Sequence, residues 1–361
     1  MRKNLFATTP GIIIVGAVIG LIAVWLQKLG NPANMGICVA CFERDVAGGL
    51  GLHRAAIVQY LRPEIMGLVF GSLAAAIATR EFKPRGGSAP IVRFVLGMIA
   101  AMGALVFLGC PWRAILRLAG GDGNAILGLA GLATGIWFGT LFFKKGYSLG
   151  RSNSQSVVSG ALFPVIAVCL LLLYLIFPQI PDQPQSGPLF YSVKGPGSQH
   201  APFIASLGLA FIIGIFAQRS RFCTMGAFRD LFLFRYTHLF LGLAAMFAAA
   251  FIANALTGGL KFGFEGQPVA HSDFLWNYLG MVTAGLAFAL AGGCPGRQLF
   301  MAGEGDSDAG IFALGMLVGA AMAHNLGTAS SGTGIGVYGM QATILGFAVC
   351  LIIGFVHSKK A

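Results

Sequence analysis

Residues 38–53 read CVACFERDVAGGLGLH, and residues 223–238 read CTMGAFRDLFLFRYTH. Both fit the pattern C-x5-R-D-x7-H. Cys38, Arg44, Asp45 and His53 stand in the first, and Cys223, Arg229, Asp230 and His238 in the second, every pair 185 residues apart. A second pattern follows each. Gly109-Cys110-Pro111-x-Arg113 matches Gly293-Cys294-Pro295-x-Arg297, and Gly121-Asp122 matches Gly305-Asp306, all at 184 residues. Polar constellations that recur in order mark an internal duplication.

The sequence around these stretches is strongly apolar. Of 361 residues, 56% are hydrophobic and 10% charged, with a mean hydropathy of +0.79. A soluble domain carries about 25% charged residues, so the composition points to a polytopic membrane protein and excludes disorder. Apolar runs fall at 9–29, 64–80, 90–108, 125–143, 157–178, 203–218, 237–256, 274–292, 308–327 and 337–357. A span needs roughly 20 residues, which predicts about ten transmembrane helices. The run after Arg2 and Lys3 leads into more membrane, so it reads as a first span and not a cleaved signal. Gly16/Gly20, Gly67/Gly71 and Gly315/Gly319 suit close helix packing. The formal charge is +12. In such a chain this suggests basic inner loops and positive charge near an anion path, not nucleic acid. No Walker A, HExxH or repeated zinc-type CxxC is present. No ATP motor, metal or cofactor is expected, and membrane lipid is an expected partner.

Lys and Arg crowd the loops at 80–93 and 144–151 and both termini, whereas 179–202, 257–273 and 328–336 hold only Lys194 and Lys261. The contrast places both termini inside. The Pro- and Gly-rich stretch 179–202 reads as a linker between a first repeat, 1–178, and a second, 203–361. Five spans per half, an odd number, invert the second half. Such inverted repeats with broken elements at the midplane are a transporter architecture. The segments after each repeated cysteine are short and polar. They are expected to be four re-entrant helix-loop elements, which membrane depth tolerates only where protein or a water-filled path covers them. Pro111 and Pro295 suit a first helical position. Cys110 and Cys294 would then sit at helix N-caps, where free N–H groups and the helix dipole favour anions.

Cys169 and Cys350 lie in wholly apolar runs and read as small hydrophobes. Cys38, Cys110, Cys223 and Cys294 occupy equivalent repeat positions and are the candidate substrate-binding thiols. A neutral S–H is a weak, polarizable partner that can touch a soft sulfur or selenium atom without holding it. Transport needs that balance. Arg44, Arg113, Arg229 and Arg297 are the candidate counter-charges, since ionisable groups inside a membrane face a cavity or a partner. Two readings stay open for them: pairing with Asp45, Asp122, Asp230 and Asp306 to hold each loop, or direct contact with an anion. His53 and His238 read as interfacial structure. Glu304, Asp306 and Asp308 read as an inner cluster that expels an anion or caps the next helix. Cys38-x-x-Cys41 is a candidate redox pair or half a metal site, although Gly226 stands where the repeat would place a second cysteine.

The loops resemble those of the YeeE/YedE family of bacterial sulfur-compound transporters. The stretches that carry the resemblance are SRFCTMGAFRD (Ser220–Asp230), Gly292-Gly293-Cys294-Pro295 and Gly109-Cys110-Pro111. NMGICVACFERD (Asn34–Asp45) and GCPWRAILRLAGGD (Gly109–Asp122) resemble most closely the branch assigned to selenium transport. The resemblance implies an inner-membrane bundle of hourglass shape with helix-loop elements meeting at a narrow centre. For one branch it implies thiosulfate uptake along cysteines, which carry over onto Cys38, Cys110 and Cys294, with Cys223 as repeat partner. A small cytoplasmic sulfur- or selenium-carrier protein fits the same context. The resulting expectation is a transporter and not an enzyme, importing a small selenium or sulfur compound as an oxyanion. The alternatives are thiosulfate-specific uptake, a membrane sulfurtransferase or thiol oxidoreductase using Cys38 and Cys41, and a passive anion channel.

Overall fold

The computed structural model describes residues 5–180 and 187–358. The expected charges at Arg2, Lys3, Lys359 and Lys360, and residues 181–186 of the linker, lie outside them. Fourteen α-helices follow one another among the described residues: α1 (Thr9–Lys28), α2 (Val39–Gly49), α3 (Pro63–Ala78), α4 (Pro90–Phe107), α5 (Pro111–Ala119), α6 (Asn124–Lys144), α7 (Val157–Ile176), α8 (Phe203–Ser220), α9 (Thr224–Phe234), α10 (His238–Leu256), α11 (Phe274–Ala291), α12 (Pro295–Gly303), α13 (Ser307–Asn325) and α14 (Gly339–Val356). The only sheet among them is two residues wide, β1 (Arg85–Gly86) on β2 (Asn153–Ser154).

Nine of the helical segments are long and apolar enough to cross a membrane. The expected span at 64–80 is the exception. Helix α3 has 16 residues, fewer than the roughly 20 of a full crossing, and it begins with buried Arg62 and Glu64. The chain is an all-α, multi-pass membrane protein. Four short helices, α2, α5, α9 and α12, interrupt the long ones.

The order long, short, long, long, short, long, long runs through the chain twice. Packing follows it with the halves exchanged. Helix α1 packs on α10 as α8 packs on α3, and α4 packs on α13 as α11 packs on α6. The exchange reaches single hydrogen bonds. Lys83 N donates to Glu304 O (2.9 Å) and Arg85 N to Gly305 O (3.1 Å), while Lys261 N donates to Gly120 O (2.9 Å) and Gly263 N to Gly121 O (3.1 Å). Gly121 and Gly305 have φ of +94° and +93°, a region that glycine alone enters freely. Helices α7 and α14 depart from the exchange: α7 packs on α3, α12 and α13, and α14 on α11, α4 and α6.

Connections gather at two ends. The segments 50–62, 187–202, 257–273 and 326–338 meet at one, through Gln59–Ser192 and the cavity described below. The segments 79–89, 145–156 and 304–306 meet at the other.

Candidate functional site

Each of the four repeated cysteines lies at the N-cap of a short helix. Cys38 Sγ accepts from Cys41 N (3.4 Å) at the start of α2, and Cys223 Sγ from Gly226 N (3.3 Å) at the start of α9. Cys110 and Cys294 cap α5 and α12, with Pro111 and Pro295 as first residues. All four are buried free thiols. They come together in pairs within each half. The Cys38 and Cys110 side chains interact, and the Sγ atoms of Cys223 and Cys294 lie 3.8 Å apart. Four helix N-termini thus present free N–H groups around two thiol pairs, an arrangement that favours anions.

Trp112 stands between the pairs. It is two residues from Cys110, and its ring packs on Phe222 (5.8 Å) and Phe300 (5.9 Å). It faces Gly296 of α12, where an added Cβ would come within 3.2 Å of the indole. Gly296 is the repeat mate of Trp112, so the space one half leaves is filled by the other. Trp112 Nε1 and Thr224 Oγ1 are buried without partners among the described residues.

The arginines divide into paired and unpaired. Arg44 donates from Nε (2.9 Å) and Nη2 (2.7 Å) to Asp45 Oδ1, and Arg62 Nε donates to Asp45 Oδ2 (2.8 Å). One buried carboxylate therefore serves two guanidiniums. Arg229 pairs with Asp230 (2.8 Å) at 37% exposure. Arg297 pairs with Glu304 (3.0 Å). Arg113 has no carboxylate among the described residues. It donates to the carbonyls of Leu108, Val269 (3.0 Å), Pro268 (3.3 Å) and Asn34 (3.4 Å), and to Cys41 Sγ (3.5 Å). The reason is a repeat mismatch: Gly120 occupies the position of Glu304. A Cβ there would lie 2.0 Å from Asn34 Oδ1, so no side chain fits.

Loop pairing thus holds for Arg44–Asp45 and Arg229–Asp230 but not for the other two loops. Asp122 takes Arg117 (2.6 Å), and Asp306 takes Arg85 (2.7 Å). The histidine match is also corrected. Tyr60 N donates to Asp45 O and Tyr236 N to Asp230 O, so the offset falls from 185 at the aspartates to 176 at the tyrosines, a difference of nine residues. The first half has a longer loop before α3, and structurally His238 answers to Arg62. His53 instead donates from Nε2 to Arg44 O (3.0 Å) and packs its ring, tilted by 31°, against His324 (4.5 Å). Arg62, Arg117 and Trp112 were not singled out from the sequence. Arg117 sits four residues after Arg113 on a short helix and five before Asp122, and that spacing was the available signal. Asp306 caps α13 through Ala309 N (3.0 Å), and Asp308 accepts from Gly87 N and Ser88 N (both 2.9 Å). Glu304 gathers Arg85 (3.6 Å), Arg221 (3.1 Å) and Arg297.

The region 219–355, which holds α9, α12 and the Cys223/Cys294 pair, matches a family described as sulphur transport. The chain is similar to the thiosulfate transporter TsuA of Spirochaeta thermophila, 32% identical over 29% of this chain and 32% of that protein. It is also similar to the probable transporter YedE of Escherichia coli, 25% identical over 71% of this chain and 62% of that protein. These matches agree with the resemblance of the loops to the YeeE/YedE family. Less than two thirds of either relative's length is spanned. The matched region contains one thiol pair, and Arg113, without a carboxylate partner among the described residues, lies beside the other.

Proposed function

We propose that the chain imports a small sulfur- or selenium-containing oxyanion across the bacterial inner membrane. Its halves, 1–178 and 203–361, are inverted repeats joined by 179–202, with both termini cytoplasmic. The anion enters at the 50–62 end, passes Cys38 and Cys110, then Cys223 and Cys294, and leaves at the 79–89 end. The observation that carries this reading is the meeting of two thiol pairs at four helix N-termini with Arg113 uncompensated nearby. A neutral thiol contacts a soft atom, and the N–H groups and guanidinium carry the oxyanion charge. Arg44 adds charge at entry. Arg229, paired with Asp230, and Arg297, paired with Glu304, hold the anion weakly and allow exit. An inside-negative potential opposes entry by about 2.3 kcal/mol per charge per 100 mV, so capture by a small cytoplasmic carrier protein would draw uptake forward.

Uptake of radiolabelled thiosulfate and selenite, measured separately in cells lacking other routes, tests the reading. Saturable uptake of one label should fall at least tenfold in Cys110→Ala and Cys294→Ala and survive Cys41→Ser. The sulfurtransferase or oxidoreductase reading predicts the reverse for Cys41→Ser, with a persulfide or disulfide trappable by alkylation.

A further inference from the structure

A cavity of about 370 Å³ lies at the 50–62 end, lined from four connections by Ala55, Pro196, Val269 and Ser330, with Arg44 of α2 and His324 of α13. We propose that this cavity is an anion-docking site, separate from the thiols and ahead of them, for a small oxyanion; it rests on the transport reading above. Three polar atoms of its lining have no partner among the described residues. Arg44 uses Nε and Nη2 on Asp45, and its Nη1 makes no hydrogen bond. His324 Nε2 and Ser330 Oγ make none either, and Ser330 is only 5% exposed. Leaving a buried polar group unpaired costs about 1–3 kcal/mol. His324 Nε2 and Ser330 Oγ are buried in this way, and with the unused Arg44 Nη1 beside them they are accounted for by a guest that supplies acceptors.

The surroundings fit an anion. The imidazole of His324 packs against His53, whose own ring is fixed by Arg44 O (3.0 Å) and Ala55 N (3.2 Å). Asp45 is shared between Arg44 and Arg62, which leaves positive charge in excess. Leu108 and Val269 line the cavity, and Arg113 bonds the carbonyls of these same two residues from behind. An oxyanion offers acceptors alone, matching Arg44 Nη1–H, His324 Nε2–H and the Ser330 hydroxyl. At about 370 Å³ the cavity has room for a small oxyanion and accompanying water. The guest therefore keeps part of its hydration here. The site concentrates the anion, and dehydration is left to the thiols.

Calorimetric titration of thiosulfate, and separately selenite, into the purified full chain in nanodiscs tests this. A variant lacking Cys38, Cys110, Cys223 and Cys294 (each to Ala) should still bind one equivalent. His324→Ala with Ser330→Ala should weaken that binding about tenfold. In cells the same double variant should raise the half-saturation concentration about tenfold, with a smaller change in maximal rate. If its melting temperature shows misfolding, His324→Asn with Ser330→Ala replaces it. Unchanged binding and half-saturation in the folded variant overturn the docking site. Binding that is lost in that variant while uptake proves absent or thiol-independent overturns the transport reading and leaves the docking site standing.

Discussion

Burial decides what each carboxylate near the thiols contributes. Asp122 and Arg117 are both fully buried, and Arg117 also donates to Phe107 O (2.7 Å) and lies over the Phe107 ring (4.1 Å). Removing one charge of such a pair strands the other in a low-dielectric interior, at about 3–5 kcal/mol. Asp122→Asn should therefore lower the melting temperature of the detergent-solubilised protein by many degrees. Asp230→Asn, beside the 37% exposed Arg229, should cost less than about 1 kcal/mol because solvent already screens the pair. Equal shifts for the two would contradict the burial argument. The residues that the sequence marked are those the repeat doubled. Cys38, Cys110, Cys223 and Cys294 were legible because position and type both recur. Arg117 and Trp112 were not, since Met301 and Gly296 replace them in the second half. A residue that completes a site by differing from its mate leaves no trace in a comparison of halves.

Helix packing depends on a few backbone approaches. A Cβ on Gly16 of α1 would lie 1.9 Å from Gly242 O of α10, and one on Gly71 of α3 would lie 2.0 Å from Phe211 O of α8. The α1–α10 and α3–α8 pairs are exchange mates, so both halves meet the same steric demand. Gly16→Ala and Gly71→Ala must push helices apart, and overpacking of this kind costs about 1–3 kcal/mol. Gly208, with nothing within 4 Å of its added Cβ, should accept Ala within about 0.5 kcal/mol. Thermal unfolding of the three variants, read as loss of the monodisperse fraction, checks the order. Ten apolar runs were readable as elements because membrane spans declare themselves by length. The weak point was α3, whose Arg62 and Glu64 lie just where the run begins. Glu64 Oε1 accepts from Asn31 (2.7 Å) and Ser206 (3.0 Å), partners from distant parts of the chain that no local pattern announces.

Across the whole molecule the two ends differ in charge economy. At the 50–62 end Arg113 has no acid among the described residues, and Asp45 serves two arginines. At the 79–89 end acids bind the halves together: Glu81 pairs with Arg219 (2.9 Å) and Arg221 (3.2 Å), accepts from Gln218 (2.9 Å), and Arg221 reaches on to Glu304 (3.1 Å). Arg221 adopts φ +58° next to Phe222 and Cys223, so this latch lies close to the second thiol pair. Partial burial raises the Glu81 carboxyl, but hydrogen bonds from Gln218 and Arg219 and the charges of Arg219 and Arg221 outweigh it, and the pKa falls below its usual value. A depressed carboxylate contributes stability that is present above its unfolded pKa and lost as pH falls through the folded one. The latch should therefore hold at pH 6 and release below about pH 4, the ordinary carboxylate range. Alkylation of Cys223 in membrane vesicles, followed from pH 6 to pH 3 with an acid-tolerant thiol reagent, should accelerate at the acid end. Glu81→Gln should react fast throughout and lose most of the pH response. An intact pH response in Glu81→Gln would place the acid sensitivity elsewhere and remove Glu81 from control of the second thiol pair.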